Sequence, residues 1–169
     1  MQRVHTVIDS PVGPLTLVAT DGTLSGLYMT DQRHRPPQET FGERDDRPFP
    51  EALRQLAAYF AGESTRFELP LRLDGTPFQR RVWAGLLEIP YGETLSYGEL
   101  AEHIGAPNAS RAVGLANGKN PIGIIVPCHR VVGSTGGLTG YGGGLDRKRK
   151  LLALERGAEV GAAAPDRLF

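Results

Sequence analysis

The first 29 residues alternate between apolar and polar positions with the two-residue period of a β-strand. Turn residues separate the short runs that carry this pattern: RVHTVID, LTLVAT and LSGLYM. Strands joined by such tight turns pair with their neighbours in sequence, so we predict an antiparallel hairpin or meander. Residues 30–48 are polar, contain proline and show no period, and they predict a surface loop.

A helical period begins near residue 50, and Gly62 marks its end. Its apolar positions recur at spacings of three and four residues: Leu53, Leu56, Ala57 and Phe60. Residues 62–75 predict a strand and a linker that closes at an Asp–Gly turn. We place a domain boundary there.

Capping signals predict helices in the second half of the chain. Thr76, Pro77 and Gln79 are the N-cap, first-turn proline and capping-box residue of one helix. Ser96 and Glu99 form a second capping box. Further N-caps and the last helix end are predicted at Asn108, Asp146 and Gly157. Two short helices joined by a tight turn, here over residues 96–118, are typical of a helix-turn-helix, although many enzymes contain the same corner.

These elements predict an α/β (α+β) fold. Residues 1–75 form a small N-terminal α/β domain with an antiparallel hairpin. Residues 76–157 form a mostly helical C-terminal domain that carries the helix-turn-helix pattern. Residues 158–169 have the composition of a flexible tail.

Composition is that of an ordinary globular protein. Of the 169 residues, 40% are hydrophobic and 22% are charged, and no apolar run approaches the ~18 residues of a membrane span. The N-terminus lacks the apolar core of a secretory signal, and one cysteine excludes an internal disulfide and disfavours a structural zinc site. We therefore expect a cytoplasmic protein with no membrane contact, metal or cofactor.

Charge is divided unevenly, although the formal net charge is zero. Residues 1–76 carry 8 basic and 11 acidic side chains, whereas residues 77–157 carry 10 and 6. The second half would meet a polyanion if one is bound, and random scatter fits the counts equally well. We interpret the basic run Arg147–Lys150 as a solvated helix face, with phosphate contact as the alternative.

Candidate chemistry concentrates around Cys128, which lies between Pro127 and His129 after the apolar stretch Ile122–Val126, a predicted buried strand. A thiol attacks carbon as its thiolate, which nearby cations or a histidine base favour. The alternative is a buried cysteine that packs as a small hydrophobe, but the dense polar surroundings favour a reactive one. The following GSTGGLTGYGGG has seven glycines and no nucleotide-binding motif, so it predicts a loop lining a pocket for a flat or bulky group.

From Thr76 to Gly157 the chain resembles the O6-alkylguanine-DNA alkyltransferase family, the methylguanine repair proteins. The resemblance rests on collinear motifs: PFQRRVWAGLLEIPYGET, SYGELA, SRAVG, NP, PCHRVV, GGLTGYGGG and LLALE. It implies that residues 76–157 are a DNA-binding and catalytic domain with a winged helix-turn-helix-like motif. It also implies a suicide methyltransferase that flips O6-alkylguanine out of double-stranded DNA and transfers the alkyl group irreversibly to its own cysteine. O4-alkylthymine is left open as a second substrate. Residues 1–75 are similar to the family only in pattern.

The resemblance implies catalytic roles residue by residue. Cys128 matches the alkyl acceptor, and His129 matches the residue that deprotonates it through a water held between His129 and the glutamate at Glu155. Asn120 matches the residue that braces the active-site turn. Tyr97 matches the tyrosine that donates toward guanine N3 and rotates the nucleotide outward.

It also implies a DNA surface and a pocket. Arg111 matches the arginine finger that fills the gap left by the flipped base. The small helix residues suited to close approach in the minor groove are Ala112, Gly114 and Ala116, with ordinary helix packing as the alternative. The pocket residues are Tyr141, Gly142 and Val131. Many relatives carry a hydroxyl residue where Gly142 stands, so any donor to O6 there would be the backbone N–H. Some relatives bind zinc through cysteine in the N-terminal domain, where this chain has none.

Two other functions fit parts of the pattern. An alkyltransferase-like lesion binder would recognise damaged DNA without reacting, but such proteins lack the reactive cysteine. A cysteine hydrolase could use Cys128, His129 and Glu155, but it would give the helix-turn-helix and Arg111 no purpose. We expect a monomer, and cooperative binding along DNA is left open.

Overall fold

A computed structural model describes residues 2–138 and 140–160, without the side chains of residues 158–160. Its N-terminal half is built on β1 (Arg3–Ile8), β2 (Leu15–Thr20) and β3 (Thr23–Met29). The pairs β1–β2 and β2–β3 are antiparallel, which confirms the predicted meander. A short strand, β4 (Glu43–Arg44), pairs parallel with β1 and completes the order β3-β2-β1-β4.

Two sequence predictions in this half are wrong in part. Within the predicted loop, residues 38–41 form a 3-10 turn that buries Phe41, whose ring stacks on Tyr28 with centroids 5.3 Å apart. A single apolar residue in a polar segment gives no period, so the pattern could not reveal it. The strand predicted within residues 62–75 is reduced to an isolated bridge between Leu24 and Leu71.

Helix α1 (Pro50–Phe60) forms as predicted, and Gly62 follows it with a φ of 74°. Its buried face differs from the expected one. Ala57 is exposed, whereas the buried residues follow a different stripe: Ala52, Gln55, Leu56 and Tyr59. The helix is therefore turned so that a tyrosine points into the molecule.

The C-terminal half contains α2 (Pro77–Leu87), α3 (Tyr97–His103), α4 (Ser110–Gly118) and α5 (Leu145–Val160). Both predicted capping boxes are formed, at Thr76 and at Ser96. The N-cap of α4 is Ala109, one residue after the predicted Asn108, and it has no side-chain cap bond. Helix α5 continues three residues beyond Gly157, and the rest of the predicted tail, residues 161–169, lies outside the described residues.

One apolar cluster joins the two halves. Leu27 of β3 bridges to Ile122, and its amide donates to the Pro121 carbonyl at 2.8 Å. Residues 122–126 are buried as expected but form tight turns, with φ 71° at Ile124, instead of a strand. The parallel pair β5 (Leu95–Ser96) and β6 (Val131–Val132) adds a second small sheet, and the mixed α+β class is confirmed. Within the described part of the chain, no helix is long and apolar enough to cross a membrane.

Candidate active site

Cys128 opens a 3-10 turn, Cys128–Arg130, between the buried turns and β6. Its side chain is only 7% exposed, yet it lines a cavity of about 140 Å³. Tyr97, Asn120 and Tyr141 line the same cavity. Gly114 and Gly142 line it too, so the structure brings six of the sequence-predicted site residues around one small space.

The surroundings of Cys128 act on its thiol in opposite directions. Burial raises the pKa of Cys128, whereas a hydrogen bond with Asn120 and the charge of Lys148 act to lower it. Lys148 is fully buried, and its Nζ donates to the carbonyl of Val131 at 2.6 Å. Burial lowers the pKa of Lys148 to about 8, so a desolvated ammonium lies near the sulfur and stabilises a thiolate there.

Behind the cysteine, Glu155 of α5 collects hydrogen bonds from three side chains. Its Oε2 accepts from His129 Nε2 at 2.7 Å, from Tyr59 OH at 2.7 Å and from Arg130 Nη2 at 2.9 Å, and its Oε1 accepts from Arg130 Nε at 2.9 Å. Burial acts to raise the pKa of Glu155, but the hydrogen bonds from His129 and Arg130 and the charge of Arg130 outweigh it and hold that pKa well below its usual range. Glu155 is therefore a buried carboxylate whose charge is matched by Arg130.

This carboxylate determines the tautomer of His129. The imidazole is completely buried, and burial lowers its pKa, so the ring is neutral. A neutral ring that bonds an ionised carboxylate through Nε2 carries its proton there, which leaves Nδ1 as an acceptor. Nδ1 is buried, and among the described residues no protein group bonds to it. His129 therefore presents a free base on the nitrogen that does not face Glu155.

Asn120 holds the backbone that carries the cysteine. Its Nδ2 donates to the Val126 carbonyl at 2.7 Å, and its Oδ1 accepts from the Ile122 amide at 3.0 Å. Asn117, at the end of α4, reaches the carbonyl of Cys128 at 3.5 Å. These bonds fix the tight turns before Cys128 from both sides of the segment.

Helix α4 presents a mixed face beside the cavity. Arg111 and Ala112 are exposed, and Gly114 lies against the Tyr97 ring, where an added Cβ would be 3.7 Å away. Ala116 does not belong to this face, because it is 3% exposed and packs in the core. The alternative of ordinary helix packing therefore holds for this residue. Leu115, which the sequence analysis did not single out, is 68% exposed and lines the cavity.

Two of the three predicted pocket residues border the cavity, and the third does not. Tyr141 and Gly142 line the cavity. The side chain of Val131 is buried in the apolar core instead, because β6 turns it inward, and only its carbonyl takes part, through Lys148. Val131 is thus corrected from a pocket residue to a support of the site.

The basic run at the start of α5 is mostly structural. Arg147 donates to the carbonyls of Thr30 and Gly143, Lys148 is buried, and Arg149 pairs with Asp146 at 2.8 Å. The interpretation as a solvated face is therefore wrong for Lys148. A signal was present, because Lys148 lies seven residues before Glu155 and so shares its helix face.

Tyr59 and Arg130 are further functional residues that the sequence did not identify as partners of Glu155. Tyr59 follows Ala52 and Leu56 at helical spacing, which places it on a buried face but does not indicate its partner. Over the ranges 2–138 and 140–160, no group of three or more His, Cys, Asp or Glu side chains is placed to hold a metal ion.

Comparisons with known proteins place both halves of the chain in one family. Residues 77–157 match the 6-O-methylguanine DNA methyltransferase DNA binding domain, and residues 4–73 match the ribonuclease-like domain of the same enzyme. A methylated-DNA–protein-cysteine methyltransferase of Mycolicibacterium paratuberculosis is 60% identical over 152 residues, 90% of this chain and 92% of that protein. One of Methanosarcina acetivorans is 51% identical over 152 residues, 89% of this chain and 97% of that protein. The crystal structure of Mycobacterium tuberculosis OGT in complex with DNA is similar, with a TM-score of 0.85, 58% identity and 94% of each chain covered. The chain therefore belongs to the 6-O-methylguanine DNA methyltransferase family.

Proposed function

We propose that this protein repairs DNA by moving the alkyl group of an O6-alkylguanine to the sulfur of Cys128, once per protein molecule. One observation carries the proposal. Cys128 lines a cavity beside α4, with the buried Lys148 ammonium near it and the buried His129–Glu155 pair behind it. The names of the similar methyltransferases support the reaction class, and the DNA complex of the similar M. tuberculosis protein supports DNA as the partner.

The thiol must lose its proton before it attacks. His129 Nδ1 is the base, and the proton reaches it through a bridging water, as the family resemblance implies. Glu155 stabilises the imidazolium that results, because its charge is already fixed by Arg130 and Tyr59. Lys148 lowers the free energy of the thiolate in a mostly buried site, where its charge is weakly screened.

The thiolate then displaces guanine from the alkyl carbon. The S–C bond of S-alkylcysteine forms as the C–O6 bond breaks, and the electron pair leaves with the guanine. Tyr97 donates a proton toward N3 to offset this charge. The proton that His129 took from the thiol replaces the one that Tyr97 gave up, so a thiol and an alkylguanine become a thioether and guanine with no net change in protons. Among the described residues of the site, none offers a way to remove an alkyl group from a thioether, so each protein molecule reacts once.

The alkylated base has to leave the duplex to reach a buried cysteine. Exposed Arg111 on α4 fills the gap in the base stack, and Ala112 and Gly114 allow close approach of the helix to the minor groove. Ala116 is left out of this surface because it is buried. We limit the proposal to O6-alkylguanine in duplex DNA, because none of the contacts among the described residues bears on O4-alkylthymine as a substrate.

Intact-protein mass spectrometry tests the proposal. Mixing the protein with an oligonucleotide that carries one O6-methylguanine should add one methylene mass, ~14 Da, on Cys128, and the change should saturate at one per chain. Cys128→Ala should bind the same DNA without gaining mass. Tight binding without a mass change would point instead to a lesion binder, and steady turnover of an ester or amide would point to a hydrolase.

A further inference from the structure

The cavity of Cys128 has a wall that comes from the other half of the chain. Gln32, Arg33 and His34 line it together with Cys128 and the glycine loop. We propose that this segment, Gln32–His34, determines the size of the alkyl group that the site accepts. The inference rests on the proposed function, since it concerns which lesions Cys128 repairs.

Space is the first argument. The cavity holds about 140 Å³, below the ~300 Å³ at the lower end of typical ligand pockets. An extruded base therefore fills it, and a bulkier alkyl group must displace a wall. The core behind Cys128 and the turns braced by Asn120 are buried and fully packed, so they do not yield. The half-buried Gln32 side chain, held by a hydrogen bond from the Met29 amide, is the boundary that a larger group would have to displace.

Attachment is the second argument, because the segment is held against the glycine loop at several points. The Arg33 amide donates to the Gly142 carbonyl at 2.7 Å, and Arg147 donates to the Thr30 and Gly143 carbonyls. The Met29 amide donates to Gln32 Oε1 at 2.9 Å, which fixes the side chain as well. The wall is therefore a defined surface and not a loop that happens to lie nearby.

Gly142 is the third argument. A Cβ added there would lie 3.4 Å from the Arg33 carbonyl oxygen and 3.5 Å from Gln32 Cγ. Both distances are ordinary van der Waals contacts, so the Gln32 side chain borders the cavity directly beside Gly142. Gln32, from the N-terminal half, therefore sets the boundary of the cavity beside Gly142, and the limit on alkyl-group size falls to that glutamine.

The test compares transfer rates from two duplex oligonucleotides, one with O6-methylguanine and one with O6-benzylguanine. Gln32→Ala should raise the benzyl-to-methyl rate ratio about tenfold, which corresponds to ~1.4 kcal/mol. Gln32→Met keeps the volume and should keep the wild-type ratio.

Gln38→Ala is the matched control, because Gln38 bonds Arg35 and does not line the cavity, so its ratio should equal that of the wild type. Equal changes in both rates for Gln32→Ala, or no change in either, would overturn the inference. Circular dichroism and the methyl rate itself report whether each variant is folded. A wild-type protein that accepts no methyl group would refute the proposed function, which is a different outcome.

Discussion

The two sides of Cys128 are built in opposite ways. On the inner side, Glu155, His129, Arg130 and Tyr59 are buried and joined by short charge-assisted hydrogen bonds. On the outer side, the cavity is bordered by the glycine loop, by the exposed face of α4 and by residues 32–34, which are held mainly by backbone contacts.

The difference follows from what each side has to do. Activation of a thiol needs charged groups that are already held in position, because groups that had to reorient during the reaction would stabilise the thiolate less. Entry of an extruded nucleotide needs a boundary that opens at low free-energy cost. We therefore expect changes on the inner side to cost stability, and changes on the outer side to alter DNA-dependent rates with little effect on folding.

Glu155→Gln should have the largest effect. It removes the charge opposite the buried Arg130 guanidinium, and breaking such a pair costs about 3–5 kcal/mol of unfolding free energy. Urea denaturation measures this loss. Glu88→Gln, which breaks an exposed pair with His103, is the matched control and should cost less than ~1 kcal/mol. Similar losses for the two variants would refute the view that the inner side is a stabilising network.

The acid side of the stability profile gives a second measurement on the same variant. The folded-state pKa of Glu155 is lowered, so its contribution to stability is complete above the ordinary value of 4.5 and is lost as pH falls below it. The Gln variant should therefore lose less stability than the wild type between pH 5 and pH 3. A parallel pair of curves would contradict the lowered pKa.

Tyr59→Phe should have the next largest effect. It removes one donor to a buried carboxylate without changing the ring packing, at a cost of about 1.5–3 kcal/mol. Because Tyr59 belongs to α1, this bond also connects the N-terminal half to the site. Tyr28→Phe removes a hydroxyl outside the network and serves as the control in the same denaturation experiment. A loss confined to Tyr59→Phe supports a direct link between the halves.

How far the sequence predicts this molecule depends on whether a feature is local. Both capping boxes, the meander and the limits of α1 follow from residues close together in the chain, and the structure confirms them. Cys128, Asn120, Tyr97 and Tyr141 were identified through motif resemblance, and they do lie around one cavity.

Contacts between distant segments were not predictable in this way. Tyr59 and Glu155 are 96 residues apart, and no period or spacing links them. The wall at Gln32–His34 lies in a polar segment without periodicity, so the sequence pattern predicts only a surface loop there. The run Arg147–Lys150 predicts a solvated helix face, because four consecutive cations are usually exposed. Lys148 is buried instead, and only its spacing of seven residues from Glu155 indicates this.

Lys148→Met should lower the transfer rate about tenfold at neutral pH, because the thiolate loses a neighbouring charge worth ~1.4 kcal/mol. The pKa of Lys148 is about 8. The ratio of the wild-type rate to the Lys148→Met rate should therefore be largest well below pH 8 and fall above it, where the wild-type amine is as neutral as the methionine. Rates measured from pH 6 to 9.5 test this. Lys150→Met, an exposed cation on the same helix, should follow the wild-type curve. A constant ratio across the range would exclude a charge effect.

Arg111→Ala should have the smallest effect on stability and the most selective effect on function. The side chain is exposed on α4, so unfolding free energy should change by less than ~0.5 kcal/mol. Transfer from duplex DNA should slow, because the gap left by the flipped base is no longer filled, whereas transfer from a short single strand has no such gap. The ratio of duplex to single-strand rates is the measurement. Arg66→Ala, at an exposed ion pair with Glu68, should leave that ratio unchanged. An equal loss on both substrates would mean that Arg111 acts through general attraction to phosphate, and the outer side would then contribute charge and not shape.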